Sequence, residues 1–500
     1  MGLARKTLSG IIWAYASYFG RRIFTLLTTA ILARLLVPAD FGLVAFATIA
    51  VTFMETIRGF GINDALIYTD KDVEKAANTA FIFNILIGVG QCAFMFFAAP
   101  FALNFIDDPQ VVPVMQVLGL IFIIVGFGQT HDALLQKELQ FRKRFLPELL
   151  ATVFKGIVSI ILAFTGFGVW AIVYGQLVGA IAQTIAKWYV LRWVPNFRFY
   201  IEQARSLWQY GVQVLMFSLL DNALEQADQF FIGIMLGQVQ LGFYAIAARI
   251  PEMIIANLSL VLTQALFPAY SKLQHDIPRL KDWFIMTTKY TSFLSVPAGI
   301  GMSVVAPELV LIVFGDQWVE TIRFLQVLAL LGMVATLPWS AGDVMKAIGK
   351  PDVSTKLLLV ESLYTFPMIF AFIYFTQDAV MASLANLISL CITTVLRLSV
   401  VSYYLKMNPL RFVTVFRSPF ISAGVMALGV YSWRLWVNSM GSPMLLTLLT
   451  SIALGGVIYG AMMFLLERDE LMNMIETIKK ARSGDDDDDE DEEGEDNVTA

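Results

Sequence analysis

Long apolar runs separated by short polar breaks dominate this chain. Fourteen segments each hold about 20 mainly apolar residues, the length an α-helix needs to cross a hydrocarbon core roughly 30 Å thick. They run approximately over 10–36, 41–62, 77–99, 113–135, 147–165, 168–191, 208–236, 241–265, 284–305, 322–345, 354–375, 379–404, 416–437 and 444–466. The pattern predicts an all-α membrane protein of about 14 transmembrane helices, and an even number of crossings puts both chain ends on one side. Arg21 and Arg22 interrupt the first run, and no small-residue cleavage site follows it. The first helix is therefore expected to stay in the membrane rather than leave as a signal peptide.

Composition agrees with the pattern. Hydrophobic residues make up 57% of the 500 positions and charged residues 15%, with a mean hydropathy of +0.69. A soluble protein carries about 25% charge, so this much apolar surface needs lipid to cover it. Net charge is −5, but 11 acids lie between Asp485 and Asp496, and the body without them is basic at +6. That acidic run is too charged to pack, and disorder is the expectation for it. Cys92 and Cys391 lie far apart in apolar runs, with neither a disulfide framework nor metal-ligand spacing.

Positive charge orients the bundle, since cytoplasmic loops collect Lys and Arg. With both termini in the cytoplasm, 27 of the 35 Lys and Arg fall on the inner side. Only Arg34, Arg323 and Arg434 fall near outer ends. The outer loops are short, the longest lying around Pro307 to Glu320, which leaves no room there for a catalytic domain. No GxxxxGK[ST] run is present, which argues against ATP hydrolysis. Neither a cofactor nor a nucleic-acid partner is implied.

The body reads as duplicated. At an offset of 200, Leu36 falls on Leu236, Gly42 on Gly242, Ala45 on Ala245 and Ala47 on Ala247. The offset drifts to 210 where Met115-Gln116-Val117-Leu118 meets Leu325-Gln326-Val327-Leu328. Six spans separate equivalent positions, so the expected repeats are parallel, with a substrate site between them. The expected layout is a six-helix half over 1–200, a second over 201–410, two further helices over 411–467, and a cytoplasmic tail over 468–500.

Charges inside spans are costly and usually face a cavity or a partner. Arg21, Arg22, Lys155, Arg249 and Arg397 lie within predicted spans. Asp221, Glu225 and Asp228 are spaced four and three apart in the seventh, which places them on one helix face. The 200 offset matches Asp221 with Arg21, so the acids and the arginines are expected at similar depth across a central cleft. Two readings of Arg21 and Arg22 fit: a cleft lining, or the cytoplasmic end of a shorter first span preceded by an interfacial helix. The acids likewise fit a coupling-ion site, a substrate contact, or a structural partner for Arg249 or the Arg21/Arg22 pair. Arg249 and Arg397 are the further cleft candidates, with Glu252, Glu361 and Asp343 behind them. His131, next to Asp132, is expected to be a packed, hydrogen-bonded residue rather than a proton relay. Gly166-Phe167-Gly168 reads as a tight outer turn. The Asn497-Val498-Thr499 sequon falls in the predicted cytoplasmic tail.

A set of ordered motifs adds a resemblance. Ala33-Arg-Leu-Leu-Val-Pro-Ala-Asp-Phe-Gly-Leu-Val-Ala45 joins the first two spans, and Gln136-Lys-Glu-Leu-Gln-Phe-Arg-Lys-Arg-Phe145 forms a basic inner loop. Gly166-Phe-Gly-Val-Trp-Ala171, Leu241-Gly-Phe-Tyr-Ala-Ile-Ala247, Gly315-Asp-Gln-Trp318 and Ala347-Ile-Gly-Lys-Pro351 follow. Over residues 1 to about 415 the chain resembles the polysaccharide transporters of the multidrug/oligosaccharidyl-lipid/polysaccharide exporter superfamily, the lipopolysaccharide and exopolysaccharide flippases in particular. The acidic tail departs from that pattern. The resemblance implies inner-membrane translocation of an undecaprenyl-pyrophosphate-linked oligosaccharide, alongside a glycan polymerase and glycosyltransferases of the same pathway. Arginines in a cleft suit the phosphates. Two rivals stand beside this: a drug or cation antiporter of the same superfamily, and a membrane enzyme that polymerises or ligates glycans.

Overall fold

The computed structural model describes residues 20–58, 62–68, 72–138, 140–198, 200, 218–256, 270, 273 and 276–470. The start of the first predicted span, the segment 201–217 that opens the seventh, the end of the eighth, and the acidic tail with its sequon lie outside these residues. All regular structure among the described residues is helical.

The helices are α1 (20–35), α2 (Pro38–Arg58), α3 (Ile62–Tyr68), α4 (Val73–Ala98), α5 (Val111–Lys137), α6 (Phe141–Phe164), α7 (Val169–Val190), α8 (218–225), α9 (Ala227–Leu236) and α10 (Gln238–Pro251). They continue as α11 (Ile277–Val313), α12 (Thr321–Thr336), α13 (Trp339–Ala347), α14 (Pro351–Thr376), α15 (Ala379–Tyr404), α16 (Arg411–Ser439) and α17 (Met444–Leu466). Eleven helical stretches among the described residues are long and apolar enough to cross a membrane. They coincide with predicted spans two to six and nine to fourteen. The other three predicted spans run partly through residues outside the described set.

Helix is the only open-ended answer to these sequences in lipid, because it satisfies every backbone N–H and C=O within the segment. The side chains are arranged accordingly. Phe97, Leu363, Phe375 and Leu465 are 73–82% exposed, a distribution that suits acyl chains and not water. The largest buried apolar cluster draws on α2, α5, α7, α10, α11, α12, α14 and α15. At 37 residues, α11 is about 55 Å long and overshoots the hydrocarbon core.

The connecting segments gather at two ends. At one, which we call the short-loop end, Trp318 and Gln317 reach the turn after α1, Gln238 reaches Asp108, and Arg323 pairs with Asp378. The Gly166–Gly168 turn lies here, with both glycines at positive φ as its sequence suggested. At the other, the basic end, the Asn196 amide N–H donates to Asn78 Oδ1 (2.6 Å) and Lys137 donates to the Ile67 carbonyl (2.8 Å).

At their first turns, next to the short-loop end, α2 and α10 cross at very close range. A β-carbon at Gly42 would fall on the Gln238 carbonyl oxygen, and one at Gly242 would fall on the Pro38 carbonyl oxygen. The contact is reciprocal, and its partners differ by 200 residues in both directions.

The last two helices, α16 and α17, are pinned along α11. Half-buried Arg434 pairs with buried Glu308 (2.8 Å) and also donates to the Val304 carbonyl. Tyr459 donates to the Phe293 carbonyl (2.9 Å). At the basic end Glu467 accepts from Lys289 (3.0 Å) and Ser418 (2.7 Å).

Candidate functional site

The sequence-predicted charges separate into three environments. The first is a chain of ion pairs at the basic end. Arg21 pairs with Glu148 on α6, beside the Phe145 ring. Arg144 is held by both oxygens of Asp132 (3.0 and 3.1 Å) and lies 3.9 Å from Glu148. Buried Lys187 of α7 completes the chain on Asp132 (3.5 Å). Helices α1, α5, α6 and α7 are thus tied together by alternating charges close to the basic loop 136–145. His131 Nε2 meets the Trp193 carbonyl (3.1 Å), and its ring lies 4.5 Å from that of Trp188, the packed role expected for it. Arg22 is half-buried beside Arg21.

The second environment is a buried polar knot. Asp228 Oδ2 accepts from the Tyr244 hydroxyl (2.5 Å) and the Asn386 amide (3.0 Å), while Oδ1 accepts from the Gln229 backbone N–H (2.9 Å). Three donors from α9, α10 and α15 satisfy a carboxylate that has no water around it, as a buried charge requires. The three-acid stripe therefore divides. The helix is irregular at Gln226, with Asp221 and Glu225 before the break and Asp228 after it. Asp228 is buried, Asp221 half-buried and Glu225 exposed.

The third environment holds exposed and half-buried charges. Lys155 of α6 and Arg249 of α10 are both exposed, and the Arg249 charge acts on Lys155 although 94 positions separate them. Neither has an ion-pair or hydrogen-bond partner among the described residues. The two cations come from different parts of the bundle and lie near enough for one to act on the other. Glu225 in turn feels Asp221 and Glu252. The cation acting on Asp221 is Arg397, not Arg21, and Arg397 is itself paired with Glu361 (2.8 Å). The described residues thus include two cations without a counter-charge, the acid Glu225 under the charge of two others, and an arginine already paired. Asp343 lies elsewhere, near Lys346 on α13 (3.6 Å). No group of His, Cys, Asp and Glu arranged to hold a metal occurs among the described residues.

Sequence reasoning passed over Lys155 as a site residue, although a lone lysine inside an apolar run carries the same signal as Arg21. Glu148, Tyr244 and Asn386 had no such signal. Their roles appear only once distant helices meet.

A family profile described as polysaccharide biosynthesis protein matches residues 31–323, more than half of the chain, and the chain belongs to that family. Succinoglycan biosynthesis transport protein ExoT of Rhizobium meliloti is 26% identical over 95% of this chain and 96% of its own length. Teichuronic acid biosynthesis protein TuaB of Bacillus subtilis is 24% identical over 96% and 99%. Lipopolysaccharide biosynthesis protein WzxC of Escherichia coli is 25% identical over 92% and 90%. Among solved structures, lipid II flippase MurJ in an inward closed conformation aligns with a TM-score of 0.75 at 15% identity, covering 92% of this chain and all of that one. An inward-facing multidrug resistance MATE family transporter aligns with a TM-score of 0.63 at 15% identity, over 77% and 95%. At these identities the two structures speak for the fold alone.

Proposed function

We propose that this family member is a flippase that carries the head group of a lipid-linked glycan from the cytoplasmic to the outer leaflet, holding its phosphates between Lys155 and Arg249. The pair of open, facing cations carries this reading. Two like charges in a low-dielectric space repel, and an anion that accepts hydrogen bonds from both offsets that cost. A diphosphate-linked sugar is such an anion, too polar to cross hydrocarbon unaided, while its polyprenyl tail stays in the bilayer. The undecaprenyl-pyrophosphate carrier comes from the family resemblance.

The finer layout belongs to the same proposal. Fourteen spans in a cytoplasmic membrane, both termini in the cytoplasm and the short-loop end outward follow the distribution of Lys and Arg. Division into halves over 1–200 and 201–410 is supported by the reciprocal Gly42–Gly242 contact, with Lys155 on one half and Arg249 on the other. Alternating access would then move one half against the other around the bound head group. Asp221 and Glu225, next to Glu252, are the acids placed to meet a coupling cation. Asp228 has the surroundings of a structural carboxylate. Arg21 acts in the basic-end brace, Arg397 is held by Glu361, and Arg22 stays a cleft candidate by position only. Glycosyltransferases and a glycan polymerase would supply and consume the cargo.

Proteoliposomes containing the protein and a labelled polyprenyl-diphosphate oligosaccharide test the reading. Translocation above that of empty vesicles is expected, with dependence on a proton or sodium gradient if the acids couple. Efflux of cationic drugs with no movement of any lipid-diphosphate glycan would replace the flippase with the antiporter.

A further inference from the structure

The hydrogen bonds that join described residues 20–200 to described residues 218–405 are unevenly placed. There are five, and all lie at the short-loop end. Trp318 Nε1 donates to the Ala33 carbonyl (2.8 Å). Gln317 Nε2 donates to the same carbonyl and to that of Leu36 (3.2 Å). Arg34 donates to the Ile312 carbonyl (2.5 Å), and Gln238 donates to Asp108 (3.1 Å). Among the described residues, no ion pair of the basic end joins the first group to the second. Trp318 is fully buried, edge-on to Phe41 (5.4 Å) from one group and to Phe243 (5.8 Å) from the other.

We propose that the segment Gly315–Trp318, seated on the turn 33–37, is the outer latch of the transporter, and that Gln317 and Trp318 set how often the cleft opens outward. The chemistry suits a closure that must release. The carbonyls of Ala33 and Leu36 lie at the C-terminus of α1, where the last turn of a helix leaves acceptors without intrahelical partners. Two donors from a short 3₁₀ turn satisfy them while the latch is shut, and water can take over when it parts. Gly315, at φ 98°, lets the chain leave α11 and turn back over that carbonyl row. No comparable bond crosses at the basic end among the described residues. The glycine crossing of α2 and α10 lies just beneath the latch and has to part with it.

This proposal rests on the alternating-access reading, but its test does not need the substrate. In a background with Cys92→Ala and Cys391→Ala, Ala245→Cys serves as reporter, one turn before Arg249 on the same face of α10. The variant Trp318→Phe with Gln317→Leu keeps an aromatic ring at 318 and an apolar chain at 317 and removes the donors. A membrane-impermeant thiol reagent is applied from each side of oriented vesicles. Reaction from the short-loop side is expected to rise about tenfold over the parent, equivalent to about 1.4 kcal/mol of population shift. An unchanged rate from that side overturns the latch. The same rise seen with reagent in the cytoplasm would reverse the orientation and leave the latch standing. Failure of glycan translocation would refute the proposed cargo without touching the accessibility result. A second measurement bridges Val37→Cys to Gln317→Cys with a short cleavable crosslinker. Transport is expected to stop and to return on reduction, and transport that continues through the bridged protein also overturns the proposal.

Discussion

Lys155 and Lys187 project from neighbouring helices, and their surroundings are opposite. Lys187 is buried and ends a chain of alternating charges that runs through Asp132, Arg144 and Glu148 to Arg21. Lys155 is exposed, has no counter-charge among the described residues and feels the charge of Arg249. A charge inside a membrane span is commonly taken as a mark of function. On the proposed reading the mark divides in two: a charge closed by a counter-charge holds helices together, and a charge left open is available to cargo. Pairing, more than depth, then separates scaffold from proposed site. The Arg434–Glu308 clip belongs with the first kind.

The sharpest way to break this distinction is to open a closed pair. Glu308→Gln strands Arg434 in the bundle and is expected to cost about 3–5 kcal/mol, seen as a large drop in Tm in detergent. Replacing both residues with leucine is expected to recover most of that loss. If the single and double variants melt alike, pairing is not what the two charges contribute.

Next comes an open charge. Lys155→Gln or Arg249→Gln is expected to lower glycan translocation about 10- to 100-fold, the loss of one charge-assisted contact to phosphate, with little change in Tm. Lys155→Arg should keep much of the activity. A stability loss as large as that of Glu308→Gln would move Lys155 from cargo to scaffold.

These sites show where sequence reading works and where it stops. Each apolar run of about 20 residues has one stable form in lipid, and this is why eleven predicted spans reappear among the described helices. The charged positions inside spans were visible for the same reason. Their partners were not. Arg21 was matched to Asp221 by the 200 offset, yet it meets Glu148, 127 positions away, and Asp228 meets Asn386, 158 away. Nothing local specifies those meetings. Gly42 and Gly242, seen in sequence only as a weak repeat match, turned out to touch each other's helices. Spacing also placed three acids on one face, but the irregularity at Gln226 divided them between knot and cleft.

The smallest expected effect is at the brace. Arg21 and Glu148 are each about a quarter exposed, so Arg21→Gln is expected to cost only about 1 kcal/mol. Arg21→Glu combined with Glu148→Arg should restore part of it. Translocation by Arg21→Gln at the parent rate per folded molecule would keep Arg21 in the scaffold, whereas a loss like that at Lys155 would put it in the cleft.

The clips along α11 have a mechanical consequence. With Arg434, Tyr459 and Glu467 fastened to Glu308, the Phe293 carbonyl and Lys289, the hairpin of α16 and α17 has three bolts spread along one long shaft. It cannot swivel on its own and is carried wherever α11 goes. A dye on an exposed hairpin position such as Leu428 therefore works as a pointer for the whole second group of helices, well away from the cleft and from any cargo it holds.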